Sequence, residues 1–167
     1  MKPLVSEALT VNEELGGVIF IGAIARYLHT NNLRESRDLD FAVAKPLSDE
    51  FLNSKGYNKF IENRKEIWRT PRGVKIDIYT KDVSKIPIEI IIRTAKDVKV
   101  GNKTVKVIGL EALIVAKHRA QRDADIDDLR LLARQKSKEI NWELLKTVAK
   151  DDTEYQNIKT SIEFLVK

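Results

Sequence analysis

The sequence predicts an α+β fold: a mixed β-sheet with flanking helices over residues 1–108, then a C-terminal helical subdomain over 109–167 packed on it. Three observations predict it. Short runs of β-forming residues alternate with helix-period segments as far as Ile108. From Gly109 the period turns helical and stays so. Turn signals separate the runs, among them Gly16-Gly17, Pro71-Arg72-Gly73 and Gly101-Asn102.

The elements follow in order. Leu4, Val5, Ala8 and Leu9 recur at helical spacing, so Pro3 to Leu15 is a helix ended by Gly16-Gly17. VIFI (Val18 to Ile21) is a short buried strand bounded by Gly22, and AIARYLHTNN a helix stopped by its two asparagines. RDLDFAVA is a strand closed by Lys45-Pro46, and LSDEFLNSKGY a short helix with Ser48 as N-cap and Gly56 as stop. EIWRT and VKIDIYT pair as a hairpin. IEIIIRTA reads as a further strand, and VKVGNKTVKV as a tight hairpin around Gly101-Asn102. GLEALIVAKHRAQ, DIDDLRLLARQ, NWELLKTVAK and EYQNIKTSIEFLVK complete the chain as three or four helices.

Composition narrows the function classes. With 43% hydrophobic and 33% charged residues, the 167-residue chain can bury a real core and is not a disordered segment. Its longest apolar run, VIFIGAIA, is too short to span a bilayer, so no membrane partner is expected. The amino terminus lacks a signal-peptide pattern and cysteine is absent, which predicts a cytoplasmic location and excludes thiolate metal sites. Two histidines, His29 and His118, are too few for a histidine-rich centre, and neither has an obvious partner. The net charge of +5 favours polyanionic partners weakly, because the charges are interspersed.

The chemistry concentrates in RESRDLDFAV. Asp38 and Asp40 flank Leu39 on a strand, so both carboxylates emerge on one face. Asp77 is a lone acid in VKIDIYT, sharing its face with Lys75 and Tyr79. Neighbouring strands would converge three carboxylates, an oxygen-only set suited to Mg²⁺ or Mn²⁺. Two such ions about 3.5 to 4 Å apart clamp the attacking and leaving oxygens of a phosphoryl displacement. Sixteen residues before Asp38, Gly22 ends a strand and opens a helix, leaving amides free for a phosphate.

IGAIARYLHTNNLRESRDLDFAV resembles the signature of the DNA polymerase beta-like nucleotidyltransferase superfamily. It is most similar to the toxin-type (abortive-infection-like) and uncharacterised branch, in which a Gly-Gly or Gly-Ser step precedes Arg-x-Ser-x-Asp-x-Asp. Arg34, Ser36, Asp38 and Asp40 match the second motif, and Asp77 matches the third acid. In the helical segment GLEALIVAKHRAQRDADIDDLRLL, Lys117 matches the family lysine, while Asp125 with Asp128 best match the acids. The likeness spans roughly residues 16 to 133. Ala23 departs from the pattern: it keeps the small size and backbone N–H but offers no hydroxyl.

The resemblance implies a nucleotidyltransferase core over 1–108 and an Mg²⁺-dependent transfer of a nucleoside monophosphate from an NTP to a hydroxyl acceptor, with pyrophosphate released. Asp38, Asp40 and Asp77 would be the catalytic, metal-holding acids. Gly22, Ala23, Arg34, Ser36, Lys117 and Asp125 would bind the nucleotide. Asp125 also reads as a helix N-cap, and both roles can hold. The acceptor would be RNA, a protein side chain or a small molecule, with RNA favoured by the basic balance. Arg64, Lys65, Arg69, Arg72 and Lys75 surround the hairpin that leads to Asp77 and would guide a polyanion. Two other classes stand beside this one. A non-catalytic nucleotide- or RNA-binding member, or the toxin of a toxin–antitoxin pair with a cognate partner protein, would share the fold. A metal-dependent nuclease would share the acids but not the glycine step.

Overall fold

The computed structural model describes residues 2–167, and its centre is a seven-stranded mixed sheet in the order β3-β4-β5-β2-β1-β9-β8. In chain order the elements are α1 (Pro3–Leu15), β1 (Val18–Ile21), α2 (Gly22–Thr30), β2 (Asp38–Val43), α3 (Asp49–Ser54), β3 (Asn58–Glu62), β4 (Lys65–Arg69) and β5 (Lys75–Tyr79). There follow a small two-stranded ribbon of β6 (Asp82–Val83) and β7 (Ile86–Pro87), then α4 (Ile88–Thr94), β8 (Lys96–Val100) and β9 (Lys103–Val107). α5 (Leu110–Ala120), α6 (Asp123–Lys136), α7 (Trp142–Val148) and α8 (Asp152–Val166) complete the chain.

Strand alternation sorts the core into two layers. Val18 and Phe20 of β1, with Leu39, Phe41 and Val43 of β2, face a layer built on α1 and α3. Phe20 and Phe41 meet there edge to face, 6.3 Å between ring centres. Ile19, Ile21 and Ala42 face the opposite side, where they share one cluster with residues of α5, α6, α7 and α8. Asp38 and Asp40 occupy the same face as Ala42, so both acids point toward the helical side of the sheet. Two parallel pairings, β2 with β5 and β1 with β9, lie in an otherwise antiparallel sheet.

Most predicted elements form where expected, including the β4–β5 and β8–β9 hairpins and the Ser48 cap, whose hydroxyl accepts from the Phe51 amide at 3.1 Å. One prediction is overturned. IEIIIRTA is not a strand: Ile88–Thr94 is the helix α4, burying Ile88, Ile91 and Thr94. Pro87 blocks continuation of the short β7 ladder, and the three-residue spacing of the buried positions suits a helical turn better than a strand. A strand was also missed: β3 carries no apolar alternation because every residue of it is exposed at the sheet edge.

Arg72 does not extend into solvent from the β4–β5 turn. Its guanidinium donates to Glu7 at 3.0 Å and to Glu14 at 2.6 and 3.0 Å, tying the turn to α1. The Arg72 hydrogen bond is the main reason Glu14 stays below the ordinary glutamate range. Arg72→Ala should therefore lower the unfolding free energy by about 2 kcal/mol in urea titrations at pH 7. A depressed carboxylate contributes above its unfolded value and loses that contribution as pH falls through the folded one. The difference between variant and wild type should accordingly shrink below about pH 4.

Candidate active site

The β1–β2 ladder places Ile21 opposite Asp40, so the chain turns into α2 directly beside that carboxylate. Gly22 makes the turn at φ +66°, and a Cβ there would stand 2.5 Å from Asp40 Oδ2. Only glycine meets both demands. Among the described residues no side chain caps the first turn of α2, and it carries no acid, so its amides remain available to an anion.

On the other side of β2, the parallel register sets Asp40 level with Asp77 and Asp38 level with Lys75. All three acids therefore share one sheet face. Asp40 is the strained member: its Oδ1 is buried and has no hydrogen-bond partner among the described residues. Burial above all, then the adjacent Asp77 and the nearby Asp38, raise its pKa to about 7, while Lys117 opposes the shift. Asp38 stands one step outward, and among the described residues no three His, Cys, Asp or Glu side chains converge closely enough to hold a cation alone. The expected three-way cluster is thus an Asp40–Asp77 pair with Asp38 at its edge. Such an oxygen-only set, with an orphaned buried oxygen, fits Mg²⁺, which commonly takes one or two carboxylates and fills its other positions with phosphate and water.

Gly22, Asp40, Lys117 and Asp125 line one cavity of about 100 Å³, together with Tyr79 and Arg122. Lys117, only 5% exposed, reaches it from α5, held by Asp125 at 3.1 Å and Asp128 at 2.8 Å. Asp125 lines the cavity but is not the N-cap expected of it: Arg122 holds that position, and Asp125, third residue of α6, accepts from the Arg122 backbone N–H in a capping box. Burial pushes its pKa up, but Arg122 and Lys117 more than reverse this and hold it below the ordinary range. Ser36 and Asp38 line a second, larger groove of about 680 Å³ with Arg37, Arg69 and Lys75. The Ser36 hydroxyl donates to the Asp38 carbonyl at 3.3 Å.

Three predicted residues line neither cavity nor groove: Asp77, level with Asp40 on β5, and Ala23 and Arg34. Ala23 is buried inside the first turn of α2, with its methyl group in the core. Arg34 grips Asp128 through Nε and Nη2 at 3.2 and 3.4 Å, away from the cavity wall. Sequence reasoning missed Arg37, Arg122 and Tyr79 as site residues. Tyr79 was within reach of it, since alternation from Asp77 puts the ring on the acidic face; burial, Asp40 and Asp77 raise its hydroxyl pKa. Nothing in the local pattern marked Arg122, whose place depends on where α6 docks. His29 also has a partner after all, Ile108 O at 2.7 Å from its Nε2, and this ties α2 to the end of β9.

A carboxyl raised to about 7 holds its proton more tightly when folded, so the fold loses stability as pH rises from about 4 to 7. Asp40→Asn removes that loss. The variant should be more stable than wild type by on the order of 2 kcal/mol at pH 8, with the gain vanishing near pH 4, read by denaturant titration across pH.

Three solved structures share the fold. Antigenic nucleotidyltransferase-like protein from Paracoccidioides brasiliensis shares the fold at TM-score 0.55 and 14% identity, covering 96% of this chain and 90% of the other. JHP933 from Helicobacter pylori does so at TM-score 0.54 and 16% identity, over 98% and 89%. Antibiotic-resistance factor ANT(2″)-Ia gives TM-score 0.56 and 11% identity, over 96% and 94%. Among curated protein sequences none matches significantly. The family model described as nucleotidyl transferase of unknown function (DUF2204) matches residues 5–163, nearly the whole chain, and the chain belongs to that nucleotidyltransferase family.

Proposed function

We propose that the chain transfers a nucleoside monophosphate from an NTP to the hydroxyl of an RNA, with Mg²⁺ (or Mn²⁺) held by Asp38, Asp40 and Asp77. One observation carries the reading: the uncapped start of α2 at Gly22, Asp40 and the Lys117 ammonium meet around a single cavity, with Asp77 level with Asp40 on the neighbouring strand. Free amides and a lysine recognise phosphate, while paired carboxylates on their own repel it. The divalent ion would neutralise the acids and the phosphate oxygens between them.

In this reading the amides of Gly22 and Ala23, the Ser36 hydroxyl and Lys117 hold the triphosphate. The acceptor oxygen forms a bond to the α-phosphorus as the bond to the β-phosphate oxygen breaks, and pyrophosphate leaves. Asp77 takes the proton of the acceptor hydroxyl. Lys117 counters charge on the leaving group as a compact point charge. The work is positioning and charge neutralisation.

The acceptor reading rests on the sheet register. Asp38 pairs with Lys75, Lys75 with Arg69 and Arg69 with Asn58, so two cations run sideways from the acids along one face. Arg37 joins them in the groove, and Arg69 lies 5.9 Å over the exposed ring of Phe60. Cations beside an accessible aromatic suit a single-stranded polyanion, which stacks and neutralises at once. Glu7, Asp38 and Glu62 line the same groove, so the RNA reading rests on the Lys75–Arg69 stripe and the Phe60 ring and not on an excess of positive charge.

An NTP with Mg²⁺ should raise the melting temperature of the wild type, and NTP alone should raise it less. Asp38→Asn/Asp40→Asn should abolish the magnesium-dependent part while the fold persists. An equal rise in both proteins would place the nucleotide elsewhere. With labelled NTP and total RNA, Arg37→Ala/Arg69→Ala should weaken RNA capture and reduce its salt slope by about one per cation removed. NTP binding should stay near wild type. Labelling of protein or small molecules without RNA would overturn the acceptor assignment.

A further inference from the structure

Asp128 is buried to 0% side-chain exposure, yet among the described residues it has the most ion-pair partners, three. Lys117 Nζ reaches it at 2.8 Å, Arg34 Nε at 3.2 Å and Arg26 Nη1 at 3.3 Å. These cations come from three segments: α5, the loop before β2, and α2. Asp125 next to it takes Lys117 and Arg122. The cluster therefore sets four cations against two acids, and the surplus positive charge adjoins the cavity that Asp40 lines.

Such a carboxylate fixes positions. Arg34 lies two residues before Ser36 and four before Asp38, so gripping it sets how the chain enters β2. The same carboxylate's hold on Lys117 sets where the ammonium stands at the cavity wall. A charge in the interior costs stability unless its partners are well placed, and here all three partners belong to, or adjoin, the proposed phosphate and acid segments. Arg34 engages two oxygens of one carboxylate, a grip that lysine cannot copy.

We propose that Asp128 is a positioning residue that sets Lys117 and the Arg34–Asp38 segment relative to one another, and that Arg34 acts through Asp128 instead of on the nucleotide. The proposal rests on the nucleotidyl-transfer reading for its purpose, but the clamp itself is testable without it.

The test measures binding of the α,β-methylene analogues of ATP, GTP, CTP and UTP, each with Mg²⁺, to wild type, Arg34→Gln, Asp128→Asn and the double variant. Arg34→Gln should weaken the tightest analogue about five- to tenfold in wild type and less than about twofold in the Asp128→Asn background. An equal loss in both backgrounds would mean that Arg34 binds the nucleotide directly and would overturn the proposal. No loss from either single variant would leave Asp128 a structural ion only, and would also overturn it. If Asp128→Asn does not fold, Arg34→Lys decides: lysine restores a phosphate contact but not the two-oxygen grip, so binding should stay near that of Arg34→Gln, and recovery to wild type refutes the clamp. A nucleotide-free readout separates the two readings. Acylation of Lys117 by a small amine reagent, followed by peptide mass spectrometry, should quicken several-fold in Asp128→Asn. An unchanged rate refutes the hold on Lys117. Should wild type bind none of the analogues, the proposed function fails while the labelling still decides the clamp.

Discussion

The pairing of Ile21 with Asp40 across β1 and β2 is the constraint from which the site follows. It puts the residue after Ile21 so close to a carboxylate that a methyl group would collide with it, and glycine at positive φ is the solution. Because that residue also starts α2, a helix amino terminus and an aspartate that would ordinarily be kept apart by intervening side chains are brought edge to edge. One sheet register therefore fixes the uncapped helix amides and the acids together. The second register, β2 on β5, adds Asp77 at the same level with no loop to adjust it.

The arrangement is poor for stability and suited to chemistry. Asp40 is buried next to its own kind, with one oxygen unpartnered among the described residues. Lys117 and Arg122, from the cation-rich cluster around Asp125 and Asp128, lie on the other side of the same cavity. Each half destabilises itself and attenuates the other, as the opposing action of Lys117 on Asp40 shows. A ligand that combines negative phosphates with a divalent cation would satisfy both halves at once.

Much of this was legible because it is local. The period-two placement of Asp38 and Asp40 and the strand–glycine–helix step need only neighbouring residues to be read. Asp77 needed only the guess that its strand adjoins β2. Lys117 was harder, since a lysine among leucines usually faces solvent, and its burial depends on two acids eight and eleven residues further on. Arg34 and Arg72 were beyond reach for one reason: their partners lie 94 and about 60 residues away, and a loop arginine looks the same whether it meets a carboxylate or water. α4 failed differently. A run of isoleucines satisfies strand propensity, yet burial at every third position and the proline before it settle the helix.

Pairing of β1 with β9, and of Arg34 with Asp128, joins segments made far apart in time. The acids of β2 leave the ribosome about 80 residues before Lys117 does, and at 5–20 residues per second that is several seconds. Throughout that interval a nascent chain carries Asp38 and Asp40 without the lysine and α6 that complete their cavity. Contacts so distant in sequence also form late in refolding, after local hairpins and helices. A chain cut short before residue 128 would therefore carry the acidic motif without the carboxylate that pairs with both Lys117 and Arg34.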